Sequence, residues 1–239
     1  MLYFSPKGAA MNIQGLQKLT LLDFPGKTAC TVFLGGCDFR CPFCHNSELL
    51  DGTAPTELTD AELLAFLEKR HGLLDGVAFT GGEPTLRREL PDLLAKVRAM
   101  GFATKLDTNG NHPETLKAIL DAGLVDYVAM DIKNSPAKYA ATLGISSFDT
   151  ANITRSMALL KDSGVDYELR TTVVKEFHDA DSFREIGPWI AGAKRYFLQC
   201  FTDRDTVLQS GLHAPAKEEL ERYAALVKPF VAEVSLRGI

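Results

Sequence analysis

Thr28-Ala29-Cys30-Thr31-Val32-Phe33-Leu34-Gly35-Gly36-Cys37-Asp38-Phe39-Arg40-Cys41-Pro42-Phe43-Cys44-His45-Asn46 is an apolar run that ends in two glycines and opens into three cysteines. Thr28–Leu34 is rich in β-branched and aromatic residues and is predicted to be a strand. Cys37, Cys41 and Cys44 follow with the spacing C-x3-C-x2-C, and no fourth cysteine is near. Iron–sulfur clusters are usually held by four cysteine thiolates. Three thiolates hold three irons of a [4Fe–4S] cluster and leave the fourth open to a non-protein ligand. Soft thiolates suit such a cluster. The plain alternative is a structural zinc on Cys37, Cys41, Cys44 and His45, which would need adjacent residues on one tetrahedral ion.

Outward from this stretch, short apolar runs alternate with helical patterns. Strands are predicted at Gly76–Thr80, Ala103–Asp107, Tyr127–Asp131, Tyr167–Val173 and Arg195–Gln199, each followed by helical sequence. Thr59 and Glu62 form a capping-box pattern ahead of Leu63, Leu64 and Leu67. Further helices open near Pro91, Pro113 and Ser135-Pro136, the last stopping at Gly144. Asn152–Lys161, Ser182–Ala191 and Lys217–Val227 are also helical by pattern, with a short strand at Ala232–Leu236. Six β/α units imply a parallel sheet with right-handed crossovers. A complete eight-fold barrel usually takes about 250 residues. The expected class is therefore α/β, a partial, laterally open (β/α)6 TIM-like barrel with a C-terminal helix. A flat doubly wound sheet is the alternative that periodicity alone does not exclude. Residues 1–10 read as an N-terminal extension and 11–239 as a single domain.

Polar residues gather at the C-terminal ends of the predicted strands, where parallel barrels place their chemistry. They are Gly81-Gly82-Glu83-Pro84, Asp107-Thr108-Asn109-Gly110, Asp131-Ile132-Lys133, Arg170 and Gln199-Cys200. Taken singly, Asn109-Gly110 is a turn signal and Asp131 with Lys133 an ordinary ion pair. Cys30 reads as core, Cys200 as a small apolar residue, and His71, His112, His178 and His213 as surface or loop residues.

The bulk composition narrows the function classes. A formal net charge of −5 argues against a broad nucleic-acid surface. No apolar run approaches the roughly 18 residues of a membrane span, and no signal-peptide pattern opens the chain. Five cysteines, three of them clustered, argue against a disulfide framework and for a cytoplasmic protein.

The cysteine spacing, with Phe43 before the last cysteine, resembles the signature of the radical S-adenosylmethionine (SAM) enzymes. Gly81-Gly82-Glu83-Pro84 resembles their GGEP segment, whose backbone and Glu receive the methionine ammonium of SAM. Asp107-Thr108-Asn109-Gly110 with Asp131-x-Lys133 resembles the glycyl-radical-enzyme activases of the pyruvate formate-lyase activase type. Gly15–Lys27 and Val234–Gly238 resemble the anaerobic ribonucleoside-triphosphate reductase-activating proteins.

This resemblance implies cluster ligation and catalysis by Cys37, Cys41 and Cys44. It implies SAM binding by Asn46, Gly81, Gly82, Glu83, Asp107, Asn109, Lys133 and Arg170. It also implies a monovalent cation, Na+ or K+, on Asp107, Thr108, Asp131 and the carbonyl of Ala129. The activity implied is hydrogen abstraction from a backbone glycine of a glycyl radical enzyme, anaerobic ribonucleotide reductase, with electrons from a flavodoxin- or ferredoxin-type donor. The chain departs from that pattern after the sixth predicted strand, where those activases carry a histidine and this one has Gln199-Cys200. Cys30 and Cys200 alone cannot build an auxiliary cluster. The rival readings are a radical SAM enzyme on a small molecule, of the 7-carboxy-7-deazaguanine synthase kind, and a non-catalytic iron–sulfur or zinc scaffold.

Overall fold

A computed structural model describes residues 11–239; the expected extension 1–10 lies outside them. The chain divides into two compact units. The first comprises the described residues through Asp38, together with Glu48–Thr108 and Glu114–Val128. It opens with β1 (Asn12–Ile13), β2 (Gly15–Thr20) and β3 (Ala29–Leu34). Gly15–Thr20, where the sequence pattern predicts no strand, pairs antiparallel with β3. Pro25-Gly26 makes the hairpin: Lys27 N–H donates to the Phe24 carbonyl at 3.1 Å and Gly26 has φ 71°. Those are the Pro and Gly positions of a type II turn. Half of β2 is exposed, so it lacks the apolar alternation that marks a strand.

β4 (Leu58–Thr59) forms a short antiparallel ladder with β1, also absent from the sequence reading. The capping box follows as expected. Glu62 N–H donates to Thr59 Oγ1 at 3.3 Å and Thr59 N–H to the Glu62 carboxylate at 2.7 Å. It starts α1 (Asp60–Glu68), which buries Leu63 and Leu67. Then come β5 (Gly76–Gly81), α2 (Leu90–Ala99), β6 (Ala103–Thr108) and α3 (Pro113–Asp121). β3, β5 and β6 run parallel, with Leu34 opposite Gly81. That register sets the exit of β3 beside the glycine pair. Cys30 is fully buried in β3 as expected, its thiol pushed up to about 12 by burial.

Strand β7 (Tyr127–Asp131) starts in the first unit and ends in the second. The second unit comprises Phe39–Ser47, Asn109–Pro113 and Ala129–Ile239. The helix expected from Ser135 to Gly144 is a 3-10 turn, Pro136–Lys138, followed by the four-residue α4 (Tyr139–Thr142). Gly144, with φ 72°, stops it. The remaining elements are α5 (Ala151–Asp162), β8 (Asp166–Val173), α6 (Ala180–Trp189), β9 (Arg195–Cys200), α7 (Lys217–Val227) and β10 (Glu233–Arg237). β8, β9 and β10 are parallel, so the expected short C-terminal strand is a full member of its sheet.

All six expected β/α units are present, as β3 and β5 to β9, and the fold is α/β with mostly parallel strands. Among the described residues β2 and β10 each pair along one edge only, so no barrel closes. No helix among these residues is long and apolar enough to cross a membrane.

Strand β10 is locked by charge. Arg237 donates to both carboxylate oxygens of Glu168, at 2.6 and 2.8 Å, and its guanidinium lies 3.5 Å over the Phe197 ring centre. Glu168 is 1% exposed. Arg237→Ala would take the paired guanidinium from this buried carboxylate and is expected to cost about 3 kcal/mol. Urea denaturation followed by circular dichroism checks this; a loss under about 1 kcal/mol would place the pair among ordinary surface bridges.

Candidate functional site

In the first unit the site is built by backbone. Gly82 N–H donates to the Leu34 carbonyl at 2.8 Å, and Glu83 N–H to the Gly36 carbonyl at 2.7 Å. Cys37 N–H donates to Leu50 O at 3.0 Å. These bonds stitch the turn after β5 to the segment that carries Cys37. The approach is so close that a Cβ on Gly82 would stand 2.2 Å from Gly36 O and 3.3 Å from Cys37 Cβ. At Gly81, φ is 126° and a Cβ would stand 2.3 Å from Leu34 O. Only glycine fits either position.

Glu83 is 1% exposed, so it is not the solvated carboxylate of an ordinary loop. Its Oε1 accepts Thr85 N–H at 3.0 Å, Thr108 Oγ1 at 2.8 Å and the Thr85 hydroxyl. Asp107, at the end of β6, accepts the Lys105 ammonium. Lys105, which the sequence reading passed over, is 2% exposed. Its signal was strand alternation: residues 105 and 107 point to the same side.

In the second unit, Phe43 packs between Phe177 and His178, with ring centres 5.7 and 6.4 Å away, and anchors the Cys41–Cys44 turn. Cys44 N–H closes that turn on Cys41 O at 3.0 Å. Burial pushes the Cys41 thiol up to about 11 against the pull of Lys133. Burial also raises the Cys44 thiol, opposed by the Asn46 backbone N–H and Lys133. Lys133 Nζ donates to Asp131 at 2.8 Å, and Arg170 Nε to its other oxygen at 2.5 Å. Burial pushes the Asp131 carboxyl up, but Arg170 and Lys133 outweigh it and hold it well below the usual range. Burial alone would lower the Lys133 ammonium; Asp131 reverses the sign and keeps it charged. Ala129 is fully buried in β7. Asn109 Oδ1 accepts Asn111 N–H at 2.9 Å, and Gly110 is pinned under Met130.

His178 corrects the sequence reading, because it is 3% exposed rather than a surface residue. Its Nε2 donates to the Lys133 carbonyl at 2.8 Å and its Nδ1 accepts Val174 N–H at 3.1 Å. Burial lowers its pKa, so the neutral ring does both. Lys133 N–H is bonded to the Tyr139 hydroxyl at 3.3 Å. Lys133 is thus held at both backbone groups by side chains that no motif marks. Just beyond Gln199-Cys200, the chain after β9 meets the cysteine loop. Phe201 stacks on His45 with ring centres 5.6 Å apart, and His45 Nε2 donates to Thr202 O at 2.6 Å. That bond occupies one nitrogen of the histidine a zinc site would use. Among the described residues no three Cys, His, Asp or Glu side chains close on a single ion.

The model of the "Radical SAM superfamily" matches residues 31–185. A protein of Methanocaldococcus jannaschii named "Putative glycyl-radical enzyme activating enzyme" is 29% identical over 238 residues, which cover 95% of this chain and 96% of that one. A pyruvate formate-lyase-activating enzyme of Clostridium pasteurianum is 36% identical over 131 residues, about half of each chain (51% and 52%). Among solved structures, Streptococcus suis SuiB bound to precursor peptide SuiA superposes with a TM-score of 0.67 at 14% identity, covering 87% of this chain and 48% of that one. That likeness is one of fold.

Gly82→Ala is expected to cost about 2–3 kcal/mol, as overpacking against backbone does. The urea midpoint of the cluster-free protein reads this; an unchanged midpoint would mean that the Gly36 segment yields freely.

Proposed function

Because the chain belongs to the radical SAM superfamily, whose chemistry uses a [4Fe–4S] cluster and SAM, we propose that it is a glycyl-radical-enzyme activase. The observation that carries the reading lies in the second unit. Lys133 and Arg170 converge on Asp131, and Lys133 and Asp131 both act electrostatically on the Cys41 and Cys44 thiols. Positive groups able to hold a carboxylate thus stand within reach of the thiols that would hold iron. End-to-end similarity to the archaeal relative supports the activase class over other radical SAM chemistry.

In this reading Cys37, Cys41 and Cys44 would hold three irons. When cluster and SAM are bound, they supply one-electron cleavage of the sulfonium and a 5′-deoxyadenosyl radical. The chain's part is to bind, orient and exclude competing reactions. Gly81 and Gly82 let the segment that leads to Cys37 pass close to the turn whose backbone SAM would meet. Glu83 offers a charge-assisted contact to the ammonium of SAM, and Asn46 and Asn109 offer further polar groups to SAM. Lys133 and Arg170 take the carboxylate of SAM, and His178 and Tyr139 fix the Lys133 backbone for that task. The substrate is a glycine of a partner enzyme, which has no side chain to block access and whose Cα radical is delocalised over the flanking amides. The resemblance of the N-terminal and C-terminal segments to the anaerobic ribonucleoside-triphosphate reductase-activating proteins supports anaerobic ribonucleotide reductase as that partner. A flavodoxin- or ferredoxin-type protein is the electron donor, and the cytoplasm the setting.

The test is anaerobic. The protein is reconstituted with iron and sulfide, reduced with dithionite and given SAM, and 5′-deoxyadenosine is measured by chromatography. Wild type is expected to cleave SAM and, with the reductase added, to produce a glycyl radical signal by electron paramagnetic resonance. Cys41→Ala should reduce cleavage to background. Cleavage retained in Cys41→Ala would remove the cluster assignment, and turnover of a small molecule without a partner protein would move the chain to the small-molecule reading.

A further inference from the structure

The alkali cation that the resemblance implies does not fit the charges of this chain. We infer that the Lys105 ammonium is the counter-charge of Asp107, in place of a bound Na+ or K+. The inference rests on the proposed SAM site only for its effect on SAM affinity.

Lys105 and Asp107 are two residues apart in β6, so their side chains share one side of the strand. Lys105 is 2% exposed, and lysine is almost never buried so completely unless it is paired. Its ammonium donates to Asp107 Oδ1, and the Asp107 side chain is itself only 14% exposed. An ammonium carries the single charge of an alkali ion and offers three donors to oxygen. A cation placed on Asp107 would face that ammonium with little water between, where like charges are poorly screened. Thr108 directs its hydroxyl proton to Glu83 at 2.8 Å. In the second unit Asp131 already carries two cationic partners, Lys133 and Arg170. Each candidate carboxylate is therefore matched within its own unit, and the added positive charge comes from the sequence rather than from the medium.

The experiment compares choline chloride, sodium chloride and potassium chloride at equal ionic strength. One readout is the thermal unfolding midpoint of the cluster-free protein; the other is the affinity of the reconstituted protein for SAM. Wild type is expected to keep the same midpoint in all three salts and the same affinity within about twofold. Lys105→Met should lose about tenfold in SAM affinity in choline and show a lower midpoint, and potassium or sodium should restore much of both. A lysine with a merely structural role gives no cation-specific rescue. A wild type whose midpoint rises with an alkali cation, or whose affinity rises about tenfold, would overturn the inference. So would a folded Lys105→Met that alkali salts do not restore. If Lys105→Met does not fold, the wild-type comparison decides alone. A protein that takes up no cluster fails the functional proposal and leaves the midpoint comparison intact.

Discussion

The structure turns on the close passage of two backbones, the segment leaving β3 and the turn leaving β5. Two amide–carbonyl bonds, Gly82 to Leu34 and Glu83 to Gly36, hold them together. The parallel register that sets Leu34 opposite Gly81 brings them level. Without a side chain at 82, Gly36 can sit where a Cβ would otherwise be. Cys37 is the next residue on one segment and Glu83 the next on the other. The backbones of Cys37 and Glu83 are thus placed by main-chain bonds, and the Glu83 carboxylate is then aimed by Thr85 and Thr108.

Charge follows the same economy in both units. Lys105, Glu83 and Glu168 are nearly inaccessible, and each has a polar partner of the sign or hydrogen-bond sense that burial demands. Asp131 shows the arithmetic plainly. Desolvation opposes its ionisation, and two cations more than reverse the effect. The result is a carboxylate that stays ionised and two basic groups that stay charged, whatever lies in front of them.

Much of this was legible in the chain. Cysteine spacing, the capping box at Thr59 and Glu62, and the six β/α units are local patterns with local causes. What escaped notice had non-local causes. β2 is a strand because β3 lies beside it, and its outward face lacks the apolar alternation that would announce it. Pro136 opens what looked like one helix, and the structure divides it into a 3-10 turn and a four-residue α-helix. His178 follows no motif, and its partner, the Lys133 carbonyl, lies 45 residues away. Lys105 could have been found, since a lysine two places before an aspartate in an apolar strand has few other ways to be accommodated.

One sulfur is kept apart from all this. Cys30 lies fully buried in β3, its thiol near 12. A thiol that stays protonated and out of water is a poor nucleophile. Alkylating reagents and oxidants will therefore meet the more exposed Cys37, Cys44 and Cys200 first. When the loop thiols are damaged by air, Cys30 offers no partner for a misplaced disulfide, and damage to the loop need not spread into the sheet that supports it.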